Sequence, residues 1–151
     1  MSVNALNVVR DEFSLRTKAG EWYAVDITEN VAGLVGVRDG FALVHTPHTS
    51  AAILVGESGE RLLADYRRVG QAMLAAGRPY LHSSHGHLSG EAHVFCFLHG
   101  PQALLPIADG SLALSPLQRV FFVDPTQGPR DRTVWVYSFG PVVPHRLVAR
   151  N

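Results

Sequence analysis

The sequence has a single cysteine, no excess of either charge and no long apolar run, and each absence excludes a class of protein. Because Cys96 is the only cysteine, an internal disulfide and a cysteine-based zinc motif are both excluded. Basic and acidic residues both number 13, so the basic excess typical of nucleic-acid binding is missing. No stretch has the length of a membrane-spanning helix or the pattern of a secretory signal. We therefore expect a cytoplasmic protein that binds neither nucleic acid nor membrane.

The remaining composition is that of an ordinary globular domain. Hydrophobic residues make up 46% of the 151 residues, which is enough for a sizeable core. We find no internal repeat and no low-complexity linker, so we predict one domain over residues 1–151, with a C-terminal tail at 141–151. The net charge of zero leaves little electrostatic repulsion between copies of the chain, which favours self-association.

Most of the sequence patterns predict strands. Alternating or continuous apolar runs rich in β-branched and aromatic residues are typical of strands in a largely antiparallel sheet. An Asp109-Gly110 turn joins two of these runs into a predicted hairpin. The predicted strands lie at residues 5–17, 22–27, 41–45, 49–55, 103–107, 111–114, 118–123 and 133–139.

Helical patterns are fewer. After Glu60, apolar residues recur at steps of three and four up to Leu74, which predicts an amphipathic helix that Gly77 and Pro79 end. Thr28 is expected to cap a shorter helix. Residues 92–99 are ambiguous, because their composition favours a strand while their spacing favours a helix. Together the elements predict an α+β fold, a mixed and largely antiparallel sheet with two main helices on one face.

Histidines cluster in two segments of the chain. Of the eight histidines, four lie between residues 80 and 93, and two lie just before the apolar run that ends at Glu57. Imidazoles from separate segments are able to hold a zinc-like ion with a position left open for water or substrate. The alternative is that they bond to loop backbone. Spacing alone does not select among the six candidates, which are His45, His48, His82, His85, His87 and His93.

Polar residues near the first histidine segment indicate an anion site. Thr49 and Ser50 stand at the start of a strand, where hydroxyl and N–H groups are able to bind an anion. Glu57 is a candidate general base, or a partner that orients a ligand. Turn formation by the hydroxyls and helix-dipole compensation by the carboxylate are equally consistent with these positions.

A second anion-binding pattern is Gly128-Pro129-Arg130. Glycine allows close approach of the backbone, and the planar fork of arginine suits phosphate. The alternative is an ion pair between Arg130 and a nearby aspartate, Asp124 or Asp131.

Taken in order, these motifs resemble the YjbQ family over most of the chain, up to Gly140. The matching residues are His48-Thr-Ser-Ala-Ala-Ile, Glu57, Tyr80-Leu-His82, Ala92-His93 and Gly128-Pro-Arg130, with Pro106, Gly110 and Gln118 also in place. The resemblance implies a compact α+β protomer in a homotrimer, with sites near subunit boundaries. It also implies a helix over residues 92–99.

The resemblance implies specific roles for these residues. His48, His82 and His93 match the family's three histidines, which implies a divalent metal, zinc before others. Glu57 and His48 are then the expected catalytic residues, and the expected substrate-binding residues are Thr49, Ser50, Gln118 and Arg130. Two departures bear on the pocket, because Gly56 replaces an asparagine and Ser115-Pro116-Leu117 replaces Gly-Thr-Trp.

Some members of the family are associated with a secondary thiamine-phosphate synthase activity. The expected function is therefore that of a transferase on phosphate esters at the three-histidine metal site, with a small phosphate-bearing molecule as ligand. Two alternatives stay open, a metal-dependent hydrolase and a trimer that binds a small anion without catalysis.

Overall fold

The computed structural model describes residues 7–18, 22–82, 89–126 and 128–141. The predicted tail after Gly140 lies outside these ranges except for Pro141, as do His85 and His87. None of the described helices is long and apolar enough to cross a membrane. The elements are β1 (Asn7–Arg16), β2 (Tyr23–Asp26), α1 (Thr28–Ala32), β3 (Gly40–His45), β4 (Ala52–Glu57), α2 (Glu60–Ala76), α3 (Ser89–His99), β5 (Gln102–Ala108), β6 (Ser111–Leu112), β7 (Gln118–Asp124) and β8 (Asp131–Gly140).

The strands form two antiparallel sheets where we predicted one sheet. The larger has the order β1-β8-β3-β5-β6 and the smaller the order β2-β7-β4. The α+β class and the antiparallel pairing are as predicted. The turn after β7 does not make a hairpin, because it leads the chain out of the smaller sheet to β8 in the larger one. A pattern of two apolar runs with a turn between them does not distinguish these two connections.

The smaller sheet is the middle of three layers. Along β7, Val120 and Phe122 face a core shared with the larger sheet, while Phe121 and Val123 face a second core beneath the helices. Both faces of this sheet are therefore buried, which explains why β7 is a continuous apolar run and does not alternate. β8, by contrast, alternates between buried and half-buried residues.

The helix α2 matches the predicted amphipathic helix and ends at Gly77. Its predicted apolar face is only partly buried, because Leu74 is covered while Val69 and Met73 remain about half exposed. At Gly70 the helix lies close to Trp22, because an added Cβ would lie 2.1 Å from the Trp22 ring. The second half of the helix therefore packs closely on the residue that precedes β2.

Two local predictions are decided by the structure. Residues 92–99 are helical, and Ala92, Phe95 and Cys96 lie buried on one face at three- and four-residue spacing. The capping role of Thr28 was wrong, because Thr28 is inside the helix and donates its hydroxyl to the Asp26 carboxylate at 2.6 Å. That hydroxyl also accepts the N–H of Val120 at 2.9 Å, so it joins α1 to β7.

Candidate functional site

The turn between β3 and β4, residues 46–51, contains the first predicted site residues. Its position is fixed by β8, because the Thr46 hydroxyl donates to the carbonyl of Thr133 at 3.0 Å. The N–H of Thr133 in turn donates to Nε2 of His48 at 3.0 Å. A single residue of β8 thus holds the turn at two points.

The turn also fixes the orientation of His93 on α3. Nδ1 of His93 lies 2.9 Å from the Thr49 carbonyl oxygen. A carbonyl only accepts, so Nδ1 donates its proton and Nε2 of the neutral ring keeps its lone pair. The ring of His82 is adjacent, with centroids 5.4 Å apart and planes 69° apart. The structure therefore brings Thr49, His82 and His93 together.

Two clefts meet at the contact between His93 and Thr49. One has a volume of about 780 Å³, and His82, Tyr80 and Leu81 line it together with the pair. The other has a volume of about 420 Å³ and is lined on its far side by His45, His48 and Cys96. Burial raises the pKa of the Cys96 thiol, which fits a core residue better than a nucleophile.

The predicted third ligand, His48, is oriented differently from the other two. Its Nε2 lone pair already accepts a backbone N–H, so the neutral ring has its proton on Nδ1. Burial lowers the pKa of His48, and the nearby Arg132 lowers it further against an opposing effect of Asp124. Among the described residues no three histidine, cysteine or acidic side chains are arranged to hold a metal. His48, His82 and His93 thus do not fit a three-ligand site in this chain, and the metal stays a prediction.

A buried ion pair beside the turn was missed in the sequence. The Arg132 side chain is 7% exposed and that of Asp124 is fully buried, with Nε of the arginine donating to Oδ2 at 2.7 Å. The other oxygen, Oδ1, accepts the N–H and the hydroxyl of Thr126 at 2.8 and 2.5 Å. Nη2 of Arg132 donates to the Ser50 hydroxyl at 3.1 Å. The predicted substrate contact Ser50 is therefore part of this buried network.

Arg130, in contrast, is exposed at the start of β8. Its main chain is held by Thr17, whose hydroxyl accepts the Arg130 N–H at 2.8 Å. Asp131 pairs with Arg16 and Asp124 pairs with Arg132, so both acids considered as partners of Arg130 are bound elsewhere. In the part of the chain that the structure describes, its guanidinium has no side-chain partner.

Glu57 and Gln118 lie far from the histidines along the sheet. They face each other in the register of β4 and β7, at the end of β4 opposite to the turn. The six residues of β4 span about 17 Å. Gln118 is also held locally, because its Oε1 accepts the N–H of Ser115 at 2.9 Å. Within one chain the predicted site residues therefore form two separate groups.

A family model described as "UPF0047 protein YjbQ-like" matches residues 11–141. The chain belongs to the YjbQ family. A UPF0047 protein of Archaeoglobus fulgidus is similar to it, with 35% identity over 125 residues that cover 83% of this chain and 97% of the relative. The Bacillus subtilis UPF0047 protein YugU is 27% identical over 77% of this chain and 89% of its own length.

Solved structures of YjbQ-like proteins have the same fold. A YbjQ-like protein of unknown function from Sulfolobus solfataricus has a TM-score of 0.82 and 26% identity, covering 90% of this chain and 99% of that one. A Clostridium acetobutylicum protein of the YjbQ/UPF0047 family has a TM-score of 0.75 and 32% identity, covering 83% and 97%. The similarity thus extends over most of this chain and nearly all of each of these two proteins.

The buried pair gives a stability prediction for this YjbQ-family protein. Asp124→Asn leaves the Arg132 charge buried without its counter-charge, so the free energy of unfolding should fall by about 3–5 kcal/mol. The matched control is Asp131→Asn, which breaks the exposed pair with Arg16 and should cost less than about 1 kcal/mol. Urea unfolding curves measure both. Equal losses in the two variants would contradict the role assigned to the buried pair.

Proposed function

We propose that this YjbQ-family protein binds a small phosphate-bearing molecule beside His82 and His93 and transfers a group from a phosphate ester, as a thiamine-phosphate synthase does. The observation that carries the proposal is the hydrogen bond from His93 to the Thr49 carbonyl. It fixes the tautomer and leaves Nε2 available at a cleft of about 780 Å³.

The chemistry follows from this orientation. Because the Thr49 carbonyl holds the proton on Nδ1, Nε2 is the atom of His93 that would exchange a proton with a leaving phosphate oxygen. The ring of His82, 5.4 Å from that of His93, adds a second imidazole for the negative charge of the phosphate. The two imidazoles together would donate a proton and bind an anion at the same position, which suits the departure of a diphosphate.

Arg130 is the proposed phosphate clamp. Its guanidinium is exposed and, among the described residues, makes no side-chain ion pair that a ligand would have to displace. The planar fork is able to form two charge-assisted hydrogen bonds to one phosphate. Its main chain is fixed by Thr17, so the base of the side chain is held in place.

The second candidate is anion binding without catalysis. The separation of Glu57 from the histidines favours it, because one chain does not place that carboxylate beside the His93 cleft. Hydrolysis with Glu57 as general base requires the glutamate of another copy to reach this cleft. The hydrolase therefore requires an assembly with sites near subunit boundaries, as the family resemblance implies.

We propose that this assembly is a homotrimer that buries the outer face of the larger sheet. Antiparallel sheets with one free face usually show polar residues there. Here Phe41, Leu104 and Val8 are 52%, 63% and 56% exposed on that face. Trp135 lies beside them with Arg10 over its ring at 4.9 Å. Exposed large apolar residues on one sheet face are typical of an interface between proteins.

The assembly is tested by Leu104→Glu. A charge on the outer face should prevent burial against another copy, so sedimentation equilibrium should show a trimer for the wild type and a monomer for the variant. Leu117→Glu is the matched control, since Leu117 is also 63% exposed but lies in the turn before β7. A wild type that is monomeric at micromolar concentration, or a trimeric Leu104→Glu variant, would contradict the proposal.

The phosphate role is tested by Arg130→Lys. Lysine keeps the charge but loses the fork, so calorimetric titration with thiamine phosphate and with pyrophosphate should show binding weaker by about 1–3 kcal/mol. The melting temperature should not change, because the guanidinium has no side-chain partner in the described structure. Arg38→Lys, at an exposed site with its own partner Asp109, is the control.

Unchanged affinity in the Arg130→Lys variant would exclude the role of Arg130 as phosphate clamp.

Elemental analysis of the wild-type protein, prepared without a histidine tag, tests the predicted zinc. Metal in the preparation that is lost in His93→Gln would support a metal site at this histidine, which both the transferase and the hydrolase would use. Absence of metal together with intact phosphate binding would support chemistry by the imidazoles without a metal.

A further inference from the structure

A third cleft lies away from the histidines, between α2 and the smaller sheet. Its volume is about 520 Å³, within the range of sites for small molecules. It shares no lining residue with the two histidine clefts. Its walls are mostly apolar and include Trp22, Ala24, Leu54, Leu63, Phe121 and Val123.

The packing of α2 explains why this space is open. Gly70 lets the second half of the helix approach Trp22 closely, and Leu74 is buried there. In the first half, the small residue Ala64 faces the cleft, and Leu63 is only partly buried. The helix thus leaves part of the second core uncovered along its first two turns.

Two charged residues of α2 line the cleft at different positions along the helix axis. Nη2 of Arg67 donates to the Trp22 carbonyl at 3.4 Å, which holds the guanidinium near the indole. In the described residues it has no carboxylate partner, so its other N–H groups remain for a ligand. Glu60 is seven residues earlier, about 10 Å along the helix axis. The cleft is therefore cationic at the Trp22 end and anionic at the other.

We propose that this cleft binds a small aromatic carboxylate. The ring would lie among Trp22, Leu63 and Phe121, and the carboxylate would accept two hydrogen bonds from Arg67. Glu60 repels a second acidic group, so a monocarboxylate fits better than a dicarboxylate. This site is additional to the phosphate site proposed above and does not depend on it.

The test compares two probes with the same ring system, naphthalene-2-carboxylate and naphthalen-2-ylmethanol, by calorimetric titration of the full chain. The carboxylate should bind about tenfold or more tightly than the alcohol, because only the carboxylate forms charge-assisted bonds. Arg67→Met should remove that difference and leave the alcohol's affinity unchanged. Saturating pyrophosphate should not compete with either probe, since it is expected at the histidines.

A second variant locates the site without altering a charge. Ala64→Phe fills the cleft from α2 and should abolish binding of both probes, while Ala72→Phe, at an exposed position on the same helix outside the cleft, should not. Melting curves check that both variants fold. Equal binding of the two probes, or full binding by Ala64→Phe, would overturn the proposal. If pyrophosphate does not bind while the two naphthalene probes behave as expected, only the phosphate proposal is contradicted and the carboxylate site is supported.

Discussion

The structure of the candidate site depends on the buried ion pair between Arg132 and Asp124. Burying two charges is costly unless their remaining hydrogen-bonding groups also find partners. Here Thr126 satisfies the second oxygen of the carboxylate, and Ser50 accepts an N–H of the guanidinium. Because these residues come from β7, β8 and the turn before β4, the pair joins the two sheets at the position of that turn.

This constraint determines what the neighbouring histidines are able to do. Ser50 is next to Thr49, whose carbonyl orients the His93 ring. Thr133 follows Arg132, and its N–H donates to Nε2 of His48. The same buried pair therefore supports two different imidazoles. His93 keeps a lone pair on Nε2, whereas Nε2 of His48 already accepts a backbone N–H. The described residues of a single chain do not present the three equivalent metal ligands that the family resemblance implies.

The fold was largely predictable where local pattern and burial agree. The helix α2 and the hairpin of β5 and β6 have strong periodicity or turn residues, and both occur as predicted. The helix α3 was ambiguous because Val94, Phe95 and Phe97 give it the composition of a strand, although only Phe95 is buried and Phe97 is 87% exposed. The division into two sheets was not predictable, since it depends on pairing between strands that are distant in sequence.

The sequence motifs identified candidate site residues, but most of their arrangement was not predictable. Contact between His93 and Thr49 requires α3 to pack on the turn, which no spacing reveals. Arg130 drew attention as part of a motif, while Arg132 lies buried because alternation along β8 turns it inward with Val134 and Val136. That alternation was visible in the sequence. The separation of Glu57 from the histidines follows from the length of β4 and was equally open to prediction.

The Thr49 carbonyl fixes the tautomer of His93. The ¹⁵N chemical shifts of the imidazole nitrogens in uniformly labelled protein, at a pH where the ring is neutral, measure this tautomer. We expect a protonated Nδ1 and an unprotonated Nε2 for His93, the opposite of the tautomer that free histidine prefers. A His93 signal with the proton on Nε2 would contradict this assignment, because the Thr49 carbonyl would then have no donor.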